Sequence, residues 1–260
     1  MSAWTFLRAG AASFAAAIVT LAAVDVAIAQ GNVNQATLAE SGQKTQEVSS
    51  EDVRRFLADG SAIVLDSRKR SEYVAGHIAG ARNVAPPADA GPGAYAAAVE
   101  RLVDGDKSKA LVLYCNGPHC QASRQLSAQL VAAGFTNVRR YQLGIPFWRA
   151  LSGPVEIELE GILRVYKIDQ TAVFFDARSA EEFSKGSLGG AHSVPADKIA
   201  SEGLGKVPLP RDDFNTRVVL FGRDGAQARA LADAIGKTPY QNVSYFPGTY
   251  DALAAAVKGK

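Results

Sequence analysis

The sequence predicts an α/β fold made of two tandem copies of one unit, each an open, mainly parallel sheet flanked by helices. One reason is that short apolar runs, such as "AIVLD" at 62–66, alternate with helical patterns along the chain. Runs of this kind suit strands that are buried on both faces of a sheet. The other reason is an internal repeat, since residues 62–84 align with residues 172–194 without a gap.

The repeat preserves charged residues and glycines at matching positions. The matched pairs are Asp66 and Asp176, Arg68 and Arg178, Glu72 and Glu182, Gly76 and Gly186, Gly80 and Gly190, and Ala81 and Ala191. Further along, "LVLYC" at 111–115 corresponds to "VVLFG" at 218–222. Each of these runs precedes an Ala-rich helix that we predict to end at a left-handed glycine, Gly134 or Gly236. The repeat is too long for a solenoid period, so it indicates two domains.

The first domain is predicted to open with a short helix. Ser49 or Ser50 can cap its N-terminus, two acidic residues follow, and Gly60 ends it. The run at 62–66 is then the first central strand.

Domain boundaries follow from where the repeat starts and stops. We place the two domains at residues 47–150 and 161–260. Residues 151–160 join them, and we expect this stretch to be an exposed linker where a protease cuts first. Residues 30–46 are polar and lack periodicity, so they are predicted to be a flexible lead.

Residues 1–29 have the pattern of a secretory signal peptide. Arg8 precedes an Ala-rich apolar run, and the small residues at 27–29 resemble a cleavage site before Gln30. An uncleaved membrane anchor is the alternative, but Asp25 interrupts a run that is short for a full span. We therefore expect an exported protein, periplasmic in a bacterium, with no membrane association after removal of the signal.

Composition restricts the function classes. A net charge of +2 over 260 residues, with no Lys/Arg stripe among aromatics, argues against a nucleic-acid-binding protein. The chain has 2 cysteines. An oxidising compartment would permit a disulfide, but a single disulfide cannot stabilise two domains. Both cysteines, Cys115 and Cys120, fall on one short loop after a strand, which indicates local chemistry.

Three motifs resemble the rhodanese (sulfurtransferase) family. Residues 66–81 follow the pattern Asp-x-Arg-x-x-x-Glu-aromatic-x-x-Gly-His-Ile-x-Gly-Ala, which is similar to the family's first signature. The "YC" that ends the run at 111–115 and the closing segment 134–148, which ends at Trp148, resemble two further family features. The resemblance covers nearly all of residues 47–260 and implies two rhodanese-like domains, of which the second has Gly222 in place of the cysteine and is inactive.

Cys115 has the position that an activated nucleophile needs. Ligands of open α/β sheets bind beyond the carboxyl ends of the strands, and a helix N-terminus favours an anion such as a thiolate. The resemblance implies that Cys115 is the catalytic residue and carries sulfur as a persulfide in two half-reactions. The implied substrate-binding loop consists of Asn116, Gly117, Pro118, His119, Cys120 and Gln121.

Several roles remain open for the neighbouring side chains. Arg68 either fastens a loop together with Asp66 or contacts an anionic substrate. Cys120 is a buried small hydrophobe, a disulfide partner of Cys115, or a resolving thiol. His119 is either an ordinary loop residue or a catalytic base.

Two other site types are disfavoured. A metal site at Cys115, His119 and Cys120 lacks the paired ligand spacing of structural zinc, so we expect no metal and no cofactor. A rhodanese-like phosphatase needs an arginine six residues after the cysteine, where this chain has Gln121. The loop also departs from many active rhodaneses, because Gly117 comes early and no Lys or Arg follows before Arg124.

The predicted function is transfer of sulfane sulfur from thiosulfate or a similar donor to a thiol or cyanide through Cys115. The partners would be a small sulfur-containing anion and the acceptor, and no protein partner is identified. The alternative is a non-catalytic rhodanese-like binding module for a partner protein or a small anion.

Overall fold

The computed structural model describes residues 32–84, 91 and 93–259. The predicted signal peptide, residues 1–29, lies outside the described residues. The first repeat contains a short 3-10 helix at Val33–Gln35 and the following strands and helices in chain order: β1 Gln46–Glu47, α1 Ser50–Asp59, β2 Ile63–Asp66, α2 Arg70–Ala75, β3 His77–Ile78, β4 Arg82–Asn83, α3 Ala94–Leu102, β5 Leu111–Tyr114, α4 Gln121–Ala132, β6 Val138–Tyr141 and α5 Gly144–Ala150. The second repeat contains β7 Val155–Glu156, α6 Leu159–Ile168, β8 Val173–Asp176, α7 Ala180–Ser184, β9 His192–Ser193, α8 Ala196–Glu202, β10 Val218–Phe221, α9 Gly225–Gly236, β11 Val243–Tyr245 and α10 Tyr250–Lys258.

The two repeats build sheets of the same topology. The first sheet has the order β1-β6-β5-β2-β4, and the second has the order β3-β7-β11-β10-β8-β9. Apart from β3, each strand of the second sheet occupies the place of its counterpart in the first. All pairings are parallel except that of β3 with β7. The predicted fold class is confirmed.

Both faces of each sheet are covered, as the continuous apolar strands require. All four side chains of β5 and of β10 are fully buried. In the first repeat, one face packs around Trp148 and the other around Leu130. Within residues 32–84 and 93–259, no helix is long and apolar enough to cross a membrane.

The predicted helix boundaries hold in the first repeat but not fully in the second. Ser49 caps α1 in a capping box with Asp52, and Gly60 ends it with a φ of 67°. Gly134 follows α4 with a φ of 92°, as expected for a left-handed terminus. The prediction for Gly236 is wrong, because α9 continues through that residue and its C-cap is Lys237, with a φ of −79°.

A buried ion pair fixes the end of β2. Asp66 is 0% exposed and accepts hydrogen bonds from the Arg68 guanidinium, the shorter at 2.6 Å from Nη2. Arg68 Nη2 also donates to the carbonyl of Gly76 at 2.7 Å, and the Tyr114 hydroxyl donates to Asp66 Oδ2 at 2.5 Å. Burial of the phenol and the nearby Asp66 charge raise the pKa of Tyr114 well above its usual value, so Tyr114 stays a neutral donor.

The second repeat reproduces this ion pair almost atom for atom. Arg178 Nη2 donates to Asp176 Oδ2 at 2.6 Å and to the carbonyl of Gly186 at 2.7 Å. Ser187 Oγ donates to Asp176 in the place that the tyrosine hydroxyl takes in the first repeat. The structural interpretation of the Asp-x-Arg signature therefore fits both repeats.

The segment predicted to be an exposed linker instead belongs to the second sheet. Val155 and Ile157 are buried, and β7 pairs antiparallel with β3 of the first repeat. His77 Nε2 lies 3.2 Å from Glu156 Oε2, and the Tyr245 hydroxyl donates to Glu156 Oε1 at 2.8 Å. Burial acts to raise the pKa of Glu156, but these hydrogen bonds outweigh it and lower the pKa. Preferred cleavage at 151–160 is therefore no longer expected.

The predicted flexible lead also contacts the first repeat. Two residues of this segment bind side chains of the first repeat: Asn34 accepts a hydrogen bond from Arg54, and the Glu40 carboxylate lies 3.4 Å from the Arg124 guanidinium. Thr45 of the same segment is buried. β1 then adds to the edge of the first sheet beside β6. Sequence periodicity missed this segment because it is held by side-chain hydrogen bonds and not by an apolar stripe.

We predict that Arg68→Ala lowers the free energy of unfolding by about 3–5 kcal/mol, because it leaves the Asp66 carboxylate buried without its cation. Lys185→Ala removes an exposed i,i+4 pair with Glu181 and is expected to cost at most about 0.5 kcal/mol. Urea unfolding followed by circular dichroism measures both. Equal effects of the two substitutions would contradict a structural role for the buried pair.

Candidate active site at the cysteine loop

Cys115 stands directly after β5, at the carboxyl edge of the first sheet, and is 3% exposed. The residue before it, Tyr114, is held by Asp66 and accepts a hydrogen bond from the backbone N–H of Ile78 at 3.1 Å. The buried network therefore fixes the direction in which the chain leaves the strand.

The loop that follows is shaped by two glycines. Gly117 has a φ of 103°, and its carbonyl accepts a hydrogen bond from the N–H of Cys120 at 3.0 Å. Gly144 has a φ of 65°, and a Cβ there would overlap the carbonyl oxygen of Cys115. This close approach lets Ile145 N–H donate to that carbonyl at 3.1 Å. The start of α5 thus packs against the loop.

Cys115 and Cys120 form a disulfide with a Cα–Cα distance of 6.1 Å and a sequence separation of 5. The structure shows a disulfide that both a plain disulfide partner and a resolving thiol at Cys120 would form. Cys120 is half-buried at the N-cap of α4, so it is not a fully buried hydrophobe. The structure therefore describes the oxidised state, in which Cys115 has no free thiol.

Backbone amides are the donors that this loop offers. Within the described residues, the N–H groups of Gly117 and His119 make no hydrogen bond to the protein, and no side chain caps the N-terminus of α4. Unpaired amides at a helix N-terminus favour a bound anion. The His119 side chain is exposed and has no hydrogen bond to the described part of the chain.

Cationic side chains contribute little to the loop. Arg68 is 6% exposed and its guanidinium is taken up by Asp66 and Gly76, so its position does not support the predicted contact with an anionic substrate. Arg124, the first basic residue after the loop, pairs with Glu40.

The other residues of the predicted substrate-binding loop are uncharged. Asn116 donates a hydrogen bond to a carboxylate, Glu72 Oε1, at 2.6 Å. Pro118 is half-buried and Gln121 is the exposed first residue of α4.

Gln142 is a buried polar residue at the same edge of the sheet as Cys115, and the sequence analysis missed it. The register pairs Tyr114 with Tyr141, the last residues of β5 and β6, so Cys115 and Gln142 each follow the end of one of two adjacent strands. Gln142 is 4% exposed, and neither atom of its amide has a hydrogen-bond partner among the described residues. A buried amide without a protein partner at this sheet edge is available to donate a hydrogen bond to a ligand. The alignment of the two repeats could have drawn attention to Gln142, because the corresponding residue of the second repeat is a proline, Pro247.

In the second repeat, side chains of the protein itself bind the polar groups of the corresponding loop. A Cβ on Gly222 would lie 2.9 Å from Gln227 Oε1, which accepts a hydrogen bond from the N–H of Arg223 at 2.8 Å. The Arg223 guanidinium pairs with Glu182. The loop's polar groups thus bind one another, and no nucleophile is present at Gly222.

A cavity of about 660 Å³ lies elsewhere, at the amino end of β2, and is lined in part by Gly60, Ile63, Trp148 and Arg229. The cysteine loop is not part of it. We place the candidate site at the cysteine loop, because ligands of open α/β sheets bind at the carboxyl ends of strands and both cysteines are there. Within the described residues, no group of three or more His, Cys, Asp or Glu side chains could hold a metal ion.

Comparison with known proteins identifies the family of both repeats. The sequence model of the rhodanese-like domain matches residues 49–151 and 163–256. The chain belongs to the rhodanese-like family. The two matched segments cover most of the two predicted domains and leave 152–162 between them.

Individual relatives are distant. A Schizosaccharomyces pombe protein described as "Putative thiosulfate sulfurtransferase, mitochondrial" is 24% identical over 99 residues, which is 35% of this chain and 70% of that protein. A thiosulfate sulfurtransferase from Pseudomonas aeruginosa is 21% identical with a TM-score of 0.35, and the match covers 80% of this chain and 44% of that one. A rhodanese-like domain from an Anabaena protein is 28% identical with a TM-score of 0.32, covering 41% and 75%. The chain thus spans less than half the length of the Pseudomonas enzyme.

We predict that Gln142→Met keeps or raises the free energy of unfolding, since an unpaired buried amide costs about 1–3 kcal/mol. The same substitution should slow sulfur uptake by reduced protein about tenfold, which is a loss of about 1.4 kcal/mol in transition-state stabilisation. Urea unfolding measures the first effect, and the rate of sulfur uptake in samples quenched at set times measures the second. The matched control is Gln129→Met, at an exposed position of α4. A strongly destabilised variant, or one with unchanged uptake, would show that the amide serves only the fold.

Proposed function

We propose that this protein is a sulfurtransferase that carries sulfane sulfur as a persulfide on Cys115. The observation that supports this most directly is the place of Cys115, at the end of β5 and in front of unpaired loop amides and the α4 N-terminus. Dipoles and N–H groups in that arrangement stabilise a thiolate without a general base. The family assignment and the relatives described as thiosulfate sulfurtransferases point the same way at a coarser level.

The cycle begins with reduction of the Cys115–Cys120 disulfide by an external dithiol. The Cys115 thiolate then attacks the outer sulfur of a donor such as thiosulfate. The S–S bond of the donor breaks, sulfite leaves with the electron pair, and Cys115 keeps the sulfur as a persulfide. In the second half-reaction, cyanide or a thiolate takes the terminal sulfur and the Cys115 thiolate returns.

The charges around the loop bear on the donor. Residues 116–121 contain no Lys or Arg, and the nearby Arg68 and Arg124 are paired with carboxylates. A dianion such as thiosulfate would be held by amides alone, without a bidentate guanidinium. We therefore propose that donors of lower charge, such as an organic thiosulfonate monoanion, react at least as well as thiosulfate.

We also propose that residues 1–29 are removed during export to the periplasm. N-terminal sequencing of exported material should begin at or near Gln30. Full-length protein retained in a membrane fraction with Met1 would overturn this proposal.

A non-catalytic binding module is the second candidate. The observation that favours it is that the described state has Cys115 closed in a disulfide, beside a loop without a basic side chain. In that case reduced protein would take up no sulfur from any donor.

The test is intact-mass spectrometry of protein that has been reduced, freed of reductant and incubated with thiosulfate, polysulfide or a thiosulfonate. We expect the Cys120→Ser variant to gain the mass of one sulfur atom, because Cys115 is then the only thiol, and cyanide to remove that mass as thiocyanate. Cyanide distinguishes a persulfide from a doubly oxygenated cysteine of similar mass. Cys115→Ser, which cannot form a persulfide at residue 115, should gain nothing. Failure of Cys120→Ser to gain sulfur from every donor would favour the binding module.

A further inference from the structure

We propose that Cys120 resolves the Cys115 persulfide, so that the protein releases its sulfur as hydrosulfide and ends each turnover with the Cys115–Cys120 disulfide closed. This inference rests on the proposed persulfide at Cys115 and adds the fate of the sulfur. The two cysteines of the loop then supply both electrons that reduce the sulfane sulfur to sulfide. The external co-substrate is a dithiol reductant in place of a sulfur acceptor.

The disulfide itself shows that the two sulfur atoms meet within the folded loop. The two Cα atoms are 6.1 Å apart, in the range of ordinary disulfides. The loop between the cysteines is closed by the hydrogen bond from Cys120 N–H to the Gly117 carbonyl. No movement of the sheet or of α4 is needed to bring Cys120 Sγ onto Cys115 Sγ.

The step balances within the protein. Cys120 gives up its thiol proton and its sulfur attacks the inner sulfur of the persulfide on Cys115. The bond between the two persulfide sulfurs breaks, and the outer sulfur leaves with the electron pair and the proton as hydrosulfide. The sulfane sulfur is reduced to sulfide while the two cysteine sulfurs are oxidised to the disulfide. A dithiol reductant then restores both thiols and is itself oxidised to a disulfide.

Position favours this intramolecular route over an external acceptor. Cys115 is 3% exposed in the disulfide form, in which its sulfur is bonded to that of Cys120. Cys120 is at the N-cap of α4, where no side chain competes for the first amides and where a thiolate is favoured. Well-oriented intramolecular groups reach effective concentrations of roughly 10⁵–10⁸ M, far above any free thiol.

The exposures of the two cysteines indicate which sulfur atom of the disulfide the reductant attacks. Cys120 is the more exposed half of the disulfide, since it is half-buried while Cys115 is buried. An attacking thiolate therefore reaches Cys120 Sγ first, forms a mixed disulfide there, and releases Cys115 as the free thiolate that starts the next cycle.

The experiment is a single turnover without reductant. Reduced wild-type protein, freed of reductant, receives an organic thiosulfonate anion, whose leaving group is a sulfinate and not sulfide, and both sulfide release and intact mass are measured. We expect about one sulfide per chain and a protein mass that matches the disulfide form with no added sulfur. Cys120→Ser should keep one sulfur on Cys115 and release at least tenfold less sulfide.

A matched control keeps the number of cysteines constant. The double variant Cys120→Ser, Gln129→Cys has its second thiol on an exposed position of α4, away from the loop, and should not restore sulfide release. Circular dichroism confirms that each variant is folded.

The outcomes separate this inference from the proposed function. If Cys120→Ser gains sulfur and the wild type also keeps it without releasing sulfide, the resolving role is wrong and the sulfurtransferase proposal stands. Equal sulfide release by wild type and by either variant without Cys120 also overturns the resolving role. If neither wild type nor Cys120→Ser takes up sulfur, both proposals fail.

Discussion

The buried pair of Asp66 and Arg68 is the interaction on which the first repeat and its site depend. Its carboxylate holds the Tyr114 hydroxyl, and that hydroxyl accepts the backbone N–H of Ile78. Its guanidinium reaches the carbonyl of Gly76. One ion pair thus connects the strand end before Cys115 with the short strand β3. Because a charge buried alone is far more costly than a paired one, neither member can change independently.

Through β3, the same network also reaches the second repeat. β3 leaves the first repeat and pairs with β7 at the edge of the second sheet. His77 on β3 and Tyr245 on β11 both bind Glu156, which places a hydrogen-bonded carboxylate at the junction. The junction is therefore an extension of a sheet. This explains why the short stretch between the two repeats is ordered by backbone pairing.

The two repeats show how one frame supports different chemistry. Both retain the Asp-x-Arg pair and the turn from strand to helix. In the first, the loop is closed by a disulfide, and the N–H groups of Gly117 and His119 have no hydrogen-bond partner among the residues that the structure describes. In the second, Gln227 and Arg223 occupy the space and bind the loop's own polar groups. The difference lies in a few loop residues on a conserved scaffold, which is where function is expected to vary.

Sequence alone determined the fold class, the repeat, the capped helix α1 and the placement of Cys115 at a strand end. These are readable because they depend on local signals: apolar runs, capping residues and an ungapped self-alignment. The tertiary structure decided what depends on distant partners. It paired β3 with β7, assigned Arg68 to Asp66 and attached residues of the predicted lead to the first repeat. It also placed the buried Gln142 at a strand end adjacent to the one that Cys115 follows. It also joined Cys115 to Cys120, although their spacing left that bond open. Hydrogen bonds and sheet edges between remote segments carry no periodic signature, so their partners emerge only when the chain is folded.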